Sequence, residues 1–128
     1  MKVKVSEATP LQLDWMVAKC LASVHKDAVL NGTVMHGWWI SGLFVDPNYW
    51  ISLDEFKPTT NWSQGGPVFS KARIGAMFHP EWDSDWGAWP SEGDDHQEVM
   101  GETELIAKAR CFVASRLGAE MDVPEDLK

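Results

Sequence analysis

The sequence predicts an α+β domain: a small, mostly antiparallel sheet with two helices packed on one face. Three observations lead there. Two stretches, 10–23 and 104–117, repeat apolar residues at helical spacings. The stretch between them reads as short β-rich pieces divided by turn signals. Finally, 45% apolar and 23% charged residues is the balance of a globular chain. At 128 residues this is one domain, 1–128, large enough to bury a core without metals or disulfides.

Met1 to Val5 alternates Lys2 and Lys4 with Val3 and Val5, the pattern of a short strand with one buried face. Thr9, Pro10 and Gln12 then form a helix start, with threonine as N-cap, proline at the first helical position and glutamine closing a capping box. Leu13, Met16, Val17, Cys20, Leu21 and Val24 lie on one face of the helix this begins, Pro10 to Ser23, and Trp15 flanks that stripe. Asn31-Gly32 stands between Ala28-Val29-Leu30 and Thr33-Val34-Met35, and supplies the positive φ angles a two-residue hairpin turn demands. Trp38 to Ile40, Leu43 to Val45 and Tyr49 to Leu53 extend the β region, with Asp46-Pro47-Asn48 as a turn. The polar run Thr59 to Gly66 reads as a loop ending in Gly65-Gly66-Pro67, and Val68 to Met77 as one or two short strands. The last helix, Glu104 to Leu117, starts at Thr103, carries Leu105, Ile106, Ala109, Phe112, Val113 and Leu117 as its stripe, and stops at Gly118. Met121 to Lys128 reads as a brief extended tail.

Eleven basic against nineteen acidic residues leave a net charge of −8, which disfavours a direct grip on nucleic acid. The longest apolar stretch, Gly37 to Val45, falls far short of the roughly 20 residues a membrane span needs, and the N-terminus lacks the apolar core of a secretory signal. Two cysteines, Cys20 and Cys111, fit a reduced, cytoplasmic protein and sit in or beside apolar helix registers as inert core residues.

Charge is unevenly spread. From Ile74 to Ala107 there is no lysine or arginine, while nine acidic residues run from Glu81 to Glu104. Prolines and glycines interrupt the segment, so it reads as a long acidic, Trp-rich loop at about 79–101. His79, Glu81, Asp83 and Asp85, with His96, offer mixed metal-ligand types but match no metal-binding spacing. No metal or cofactor is expected, and a hydrolase built on His79 and His96 is the least favoured reading.

Eight tryptophans are the anomaly of the composition. Trp62 stands beside Gln64, Gly65 and Gly66, and Trp39 lies in the β region, a mix of stacking faces and hydrogen-bonding groups suited to a small aromatic ligand. Lys71 and Arg73 follow closely enough to help with phosphates, so a nucleotide is the expected ligand. The alternative places a basic host protein on the acidic segment, with Trp82, Trp86 and Trp89 as anchors among Asp83 and Asp85, in the manner of a DNA mimic. An exposed sheet edge or face also suits a homo-oligomer.

KVKVSEATPLQLDWMVAKC at the start, TTNWSQGGPVF in the middle and ETELIAKARCFVASRLGAEMDVPEDL at the end together resemble the NinX-like proteins of lambdoid phages. Asp14, Trp15, Trp62, Gln64, Gly65, Gly66, Pro67, Arg110, Ala114 and Ser115 match that pattern, whereas 35–56 and 81–101 depart from it. The resemblance implies an accessory phage protein expressed in the host bacterial cytoplasm and dispensable for building virions. It carries over no catalytic or binding residue. Joined to the loop tryptophans, it leads to a non-enzymatic counter-defence protein that sequesters a small signalling ligand.

Overall fold

A computed structural model describes residues 1–25, 28–30, 33–40, 49–82, 85–90 and 98–127. Strand β1 (Lys2–Lys4) leads through a 3-10 turn, Val5–Glu7, into helix α1 (Pro10–Leu21). Strands β2 (Ala22–His25), β3 (Ala28–Leu30), β4 (Thr33–Met35), β5 (Gly37–Ile40) and β6 (Tyr49–Ser52) follow. Next come helix α2 (Trp62–Lys71), β7 (Ile74–His79), a 3-10 turn at Pro80–Trp82, β8 (Asp85–Pro90), β9 (Val99–Gly101), helix α3 (Glu104–Leu117) and β10 (Glu120–Asp122).

The fold is α+β, as expected, but among the described residues its strands form four small antiparallel sheets rather than one: β1-β10, β2-β5-β6, β3-β4 and β7-β8-β9. Nor do two helices cover one face. Helix α3 is the hub, lying on β7-β8-β9 and packing against both α1 and α2. Its side chains Leu105, Ile106, Ala109, Phe112 and Val113 meet Leu13, Met16 and Val17 of α1 and Val68 and Phe69 of α2 in one buried cluster. Phe69 and Phe112 meet edge to face, centroids 5.8 Å apart, the geometry that aligns a ring's positive edge with its neighbour's negative face. Trp15 is buried in the same core.

Local chemistry explains the helix ends. Thr9 and Gln12 complete the capping box: the Thr9 N–H donates to Gln12 Oε1 (3.0 Å) and the Gln12 N–H to Thr9 Oγ1 (3.3 Å). Gln12 Nε2 also donates to the Leu127 carbonyl (2.8 Å), tying the C-terminal tail to the start of α1. Thr103 Oγ1 accepts from the Ile106 N–H (3.1 Å) to open α3, and Gly118 closes it at φ +94°. The two pieces flanking Asn31-Gly32 pair antiparallel with Leu30 opposite Thr33, the register of a two-residue hairpin. Asn31, Gly32 and the expected strand Leu43 to Val45 lie outside the described residues.

Two expectations are corrected. Of the loop expected at Thr59 to Gly66 and the strands expected at Val68 to Met77, Ile74 to Met77 do lie in strand β7, but residues Trp62–Lys71 are instead the helix α2, which contains Gly65, Gly66 and Pro67. These residues disfavour a helix interior by about 5 kcal/mol together relative to alanine, so tertiary contacts must hold it. Asn61 Oδ1 caps it through the Ser63 N–H (2.9 Å), Val68 and Phe69 are buried, and Gln64 is pinned to the segment before it. The second correction concerns 79–101. Asp85–Pro90 is no loop but the central strand of β7-β8-β9, paired on both sides.

Candidate functional site

The ligand residues expected around Trp62 do not converge. Trp62 is 54% exposed at the first turn of α2. Its ring carries the Lys108 ammonium 5.6 Å from the centroid, and Lys108 also pairs with Glu104 at 3.7 Å. Gln64 Oε1 accepts from the Lys57 N–H and its Nε2 donates to the Glu55 carbonyl (2.8 Å), so its amide holds the preceding segment in place. Gly65 is buried where a Cβ would collide with the Pro58 carbonyl, whereas a Cβ at Gly66 would meet only Trp62 Cε3, at 3.6 Å. Lys71 is nine positions beyond Trp62 on the same helix, about 13 Å along the axis and on the opposite side. Arg73 turns the chain into β7 with φ +58°, its N–H donating to the Ser70 carbonyl. The side chain of Trp39, in β5, lies outside the described residues, as do Asp83, His96 and the side chain of Trp82.

The partner residues of the acidic segment are placed by β8. Strand alternation and register put Gly75, Met77, His79, Asp85, Gly87, Trp89 and Met100 on the outer face of the sheet, and Ala76, Ala88 and Val99 on the face toward α3. Trp89 stands opposite Gly75 and covers it, with ring atoms 3.3 Å from where a Cβ would sit. Trp86 meets Phe78 edge to face at 5.4 Å and packs against the core. Both rings are half-buried, so neither stands free as an anchor on a loop.

The outer face carries a compact ionic group. His79 is buried, with Nδ1 2.9 Å from Glu81 Oε1 and Nε2 2.7 Å from Glu98 Oε1. The Glu98 carboxyl reaches it across Gly87, in the space a Cβ there would fill. A neutral imidazole has one N–H and donates to one carboxylate; the imidazolium donates to both. Accordingly the hydrogen bond to Glu81, with Glu98 behind it, holds the His79 pKa above its usual 6.5, while Glu81 is held below the usual carboxylate range.

Beside this group opens a cleft of about 830 Å³. It is lined by β9 with its flanking residues Glu98 and Glu102, by Ser6 of the N-terminal 3-10 turn and by Asp85 of β8. Arg110 of α3, 9% exposed, also lines it. Its Nη1 donates to the Met100 carbonyl (2.9 Å) and its Nη2 to the Ala8 carbonyl (3.1 Å), so the guanidinium bridges the N-terminal segment to β9. Nε is buried with no hydrogen-bond partner, and among the described residues no carboxylate pairs with this cation. A buried guanidinium without a counter-ion is costly, which marks this as the described position with an unmet electrostatic demand.

Sequence reasoning placed Arg110 only within a family pattern. Its signal was present: four residues after Ile106 and three before Val113, it is a charged residue in the apolar register of α3.

Residues 4–116 match the sequence profile described as Bacteriophage P22, NinX. The chain belongs to the bacteriophage P22 NinX family. The resemblance carried by the two ends and the NWSQGGP run therefore holds. The matched span of this NinX-family chain takes in all three helices up to Arg116 and every residue of the cleft, and stops short of β10. No curated protein matches the chain in sequence. Among the described residues no helix is long and apolar enough to cross a membrane.

Proposed function

We propose that this NinX-family chain acts by binding rather than by bond making, as a phage counter-defence protein that sequesters a small ligand in the cleft beside β9. The observation that carries the reading is Arg110: a buried cation lining a cleft, with Nε unpartnered and, among the described residues, no carboxylate paired to it. A ligand group of opposite charge supplies the missing partner. The engagement of both His79 nitrogens by Glu81 and Glu98 supports a structural rather than a general-base role for that histidine. With Arg110 the one cation among the described lining residues, in place of the Lys71 and Arg73 pair expected from the sequence, the ligand is one that carries a single anionic group, and a signalling nucleotide qualifies only as a monoanion.

Native mass spectrometry of the chain purified gently from bacteria tests this, alongside thermal shifts with linear and cyclic nucleotide monophosphates and with small carboxylates. A ligand at 100 times its Kd stabilises the fold by about 2.7 kcal/mol. Retained mass or a shift that disappears in Arg110→Gln is the expected result. An empty chain that no compound shifts refutes the reading.

A second reading has its own observation. Met77 and Met100, 52% and 43% exposed, flank Gly87 in register on the outer sheet face near Asp85 and Glu98. Exposed methionines rimmed by acids suit contact with a basic host protein. Such contact weakens steeply with salt, whereas retention in the cleft depends on Arg110.

A further inference from the structure

The charges around the cleft restrict what it accepts. Among the described residues, one guanidinium, that of Arg110, and three carboxylates, those of Asp85, Glu98 and Glu102, line it. A polyphosphate would satisfy Arg110 but face three carboxylates. A plain polyamine would satisfy the carboxylates but set another cation against Arg110. A molecule that carries both signs meets both demands.

Resting on the cleft as the binding site, we infer that its ligand bears one carboxylate beside one or more amines: a basic amino acid or the carboxyl end of a short basic peptide. The carboxylate takes the second N–H of Arg110 Nη1 and Nη2, each of which spends its first on a backbone carbonyl, of Met100 and of Ala8; Nε is itself buried and out of a ligand's reach. The ammonium groups take Glu102, Asp85 and the oxygen of Glu98 that is not on His79. About 830 Å³ gives room for several residues, since pockets of roughly 300–1,000 Å³ hold drug-sized ligands. The sequence alone hides this arrangement, because its parts come from residue 6, residue 85, residues 98–102 and residue 110.

Calorimetric titration of the full chain at low ionic strength, with L-lysine, tri-lysine and tri-lysine amide as probes, tests the inference. Tri-lysine with its free carboxylate should bind at least about tenfold more tightly than the amide, the effect of one charged hydrogen bond. That ratio is read on the unaltered chain, so the test does not depend on a variant of Arg110 folding. Glu102→Gln, at an exposed position, should weaken both peptides by roughly threefold or more. Arg110→Gln should bring acid and amide to equal affinity. L-lysine competing as well as tri-lysine assigns the site to a free amino acid; tri-lysine alone binding assigns it to a peptide end.

Equal binding of acid and amide, or no heat with any lysine probe, overturns the inference. If cyclic adenosine monophosphate, a monoanion, then binds and Arg110→Gln abolishes it, the cleft stands as the binding site with a different ligand class. If it too fails to bind, the cleft reading falls with the inference.

Discussion

Gly65 and Gly66 are adjacent in α2, yet the structure gives them opposite roles. A methyl group at Gly65 would fall inside the contact distance of the Pro58 carbonyl and lie 3.1 Å from Leu105 Cδ2. The first obstacle is backbone, which cannot rotate aside as a side chain can. Overpacking of this kind costs about 1–3 kcal/mol, offset in part by alanine's better helix propensity. At Gly66 the added methyl meets only Trp62 Cε3, at the ordinary separation of 3.6 Å. There the propensity gain is unopposed, and Gly66→Ala should stabilise by about 0.5–1 kcal/mol.

The two variants should therefore move in opposite directions and differ by roughly 2 kcal/mol, or about 8 °C in Tm for a chain of this length. Urea unfolding with a shared m-value reads the difference directly. Equal destabilisation by both alanines would refute the reasoning, because it would mean that both glycines are needed for turn conformations no helix supplies. A neutral Gly65→Ala would refute it differently, by showing that the segment 55–58 does not seat against α2.

Asp14, 4% exposed, accepts the Thr59 N–H at 3.0 Å and hydroxyl at 2.7 Å, but burial pushes its pKa from 3.8 up to about 6. The folded chain keeps a proton there that the unfolded chain releases, so stability falls as pH rises from 3.8 to about 6. Asp14→Asn should remove that slope and gain up to about 3 kcal/mol at pH 7, measured by urea unfolding across pH; an unchanged slope rules the assignment out. For His79 the sign follows a raised histidine: the stabilising charge pairing is complete below 6.5 and fades as pH climbs through the higher folded value. NMR titration should place His79 above 6.5, and Glu81→Gln should bring it down toward that figure. Thr103→Ala should cost about 1 kcal/mol through loss of its cap on the Ile106 N–H, read from the urea midpoint. Burial raises both the Cys20 and Cys111 thiols to about 11, so a disulfide reagent at pH 8 should react slowly with the native chain and fast once urea unfolds it.

How much of this was legible depends on whether the signal was local. Thr9-Pro10 and Gln12, Thr103, and Gly118 announce helix ends because a cap is made by residues a few positions apart. The pairing of β3 with β4 was legible for the same reason, since the turn signal and both strands lie within eight consecutive residues of sequence. Helix α2 was illegible because what holds it is distant in sequence or structural in kind: Phe69 on Phe112, and Gly65 admitting the Pro58 carbonyl. Strand β8 was illegible because it is central. With α3 beneath it and Glu98 reaching to His79 above it, it shows no simple alternation of apolar and polar residues, and its glycine and proline read as breakers. Pro90 is tolerated at the strand's last position, opposite Ile74.

The same distinction bears on charge. A net charge of −8 disfavours a basic face for nucleic acid, yet it says little about one cation in one cleft. Solvated carboxylates on the surface interact through water, where a unit pair at 4 Å is worth about 1 kcal/mol; near a protein interior the same pair is worth about 4 kcal/mol. Arg110 lies largely out of water, whereas Glu102 is exposed. Its pull on a small anionic group at contact therefore outweighs the repulsion of any one exposed acid. The acids still repel a group carrying several negative charges, and they attract amines arriving beside it. A strongly acidic chain and a site for a single carboxylate are thus compatible, because burial sets how much each charge counts.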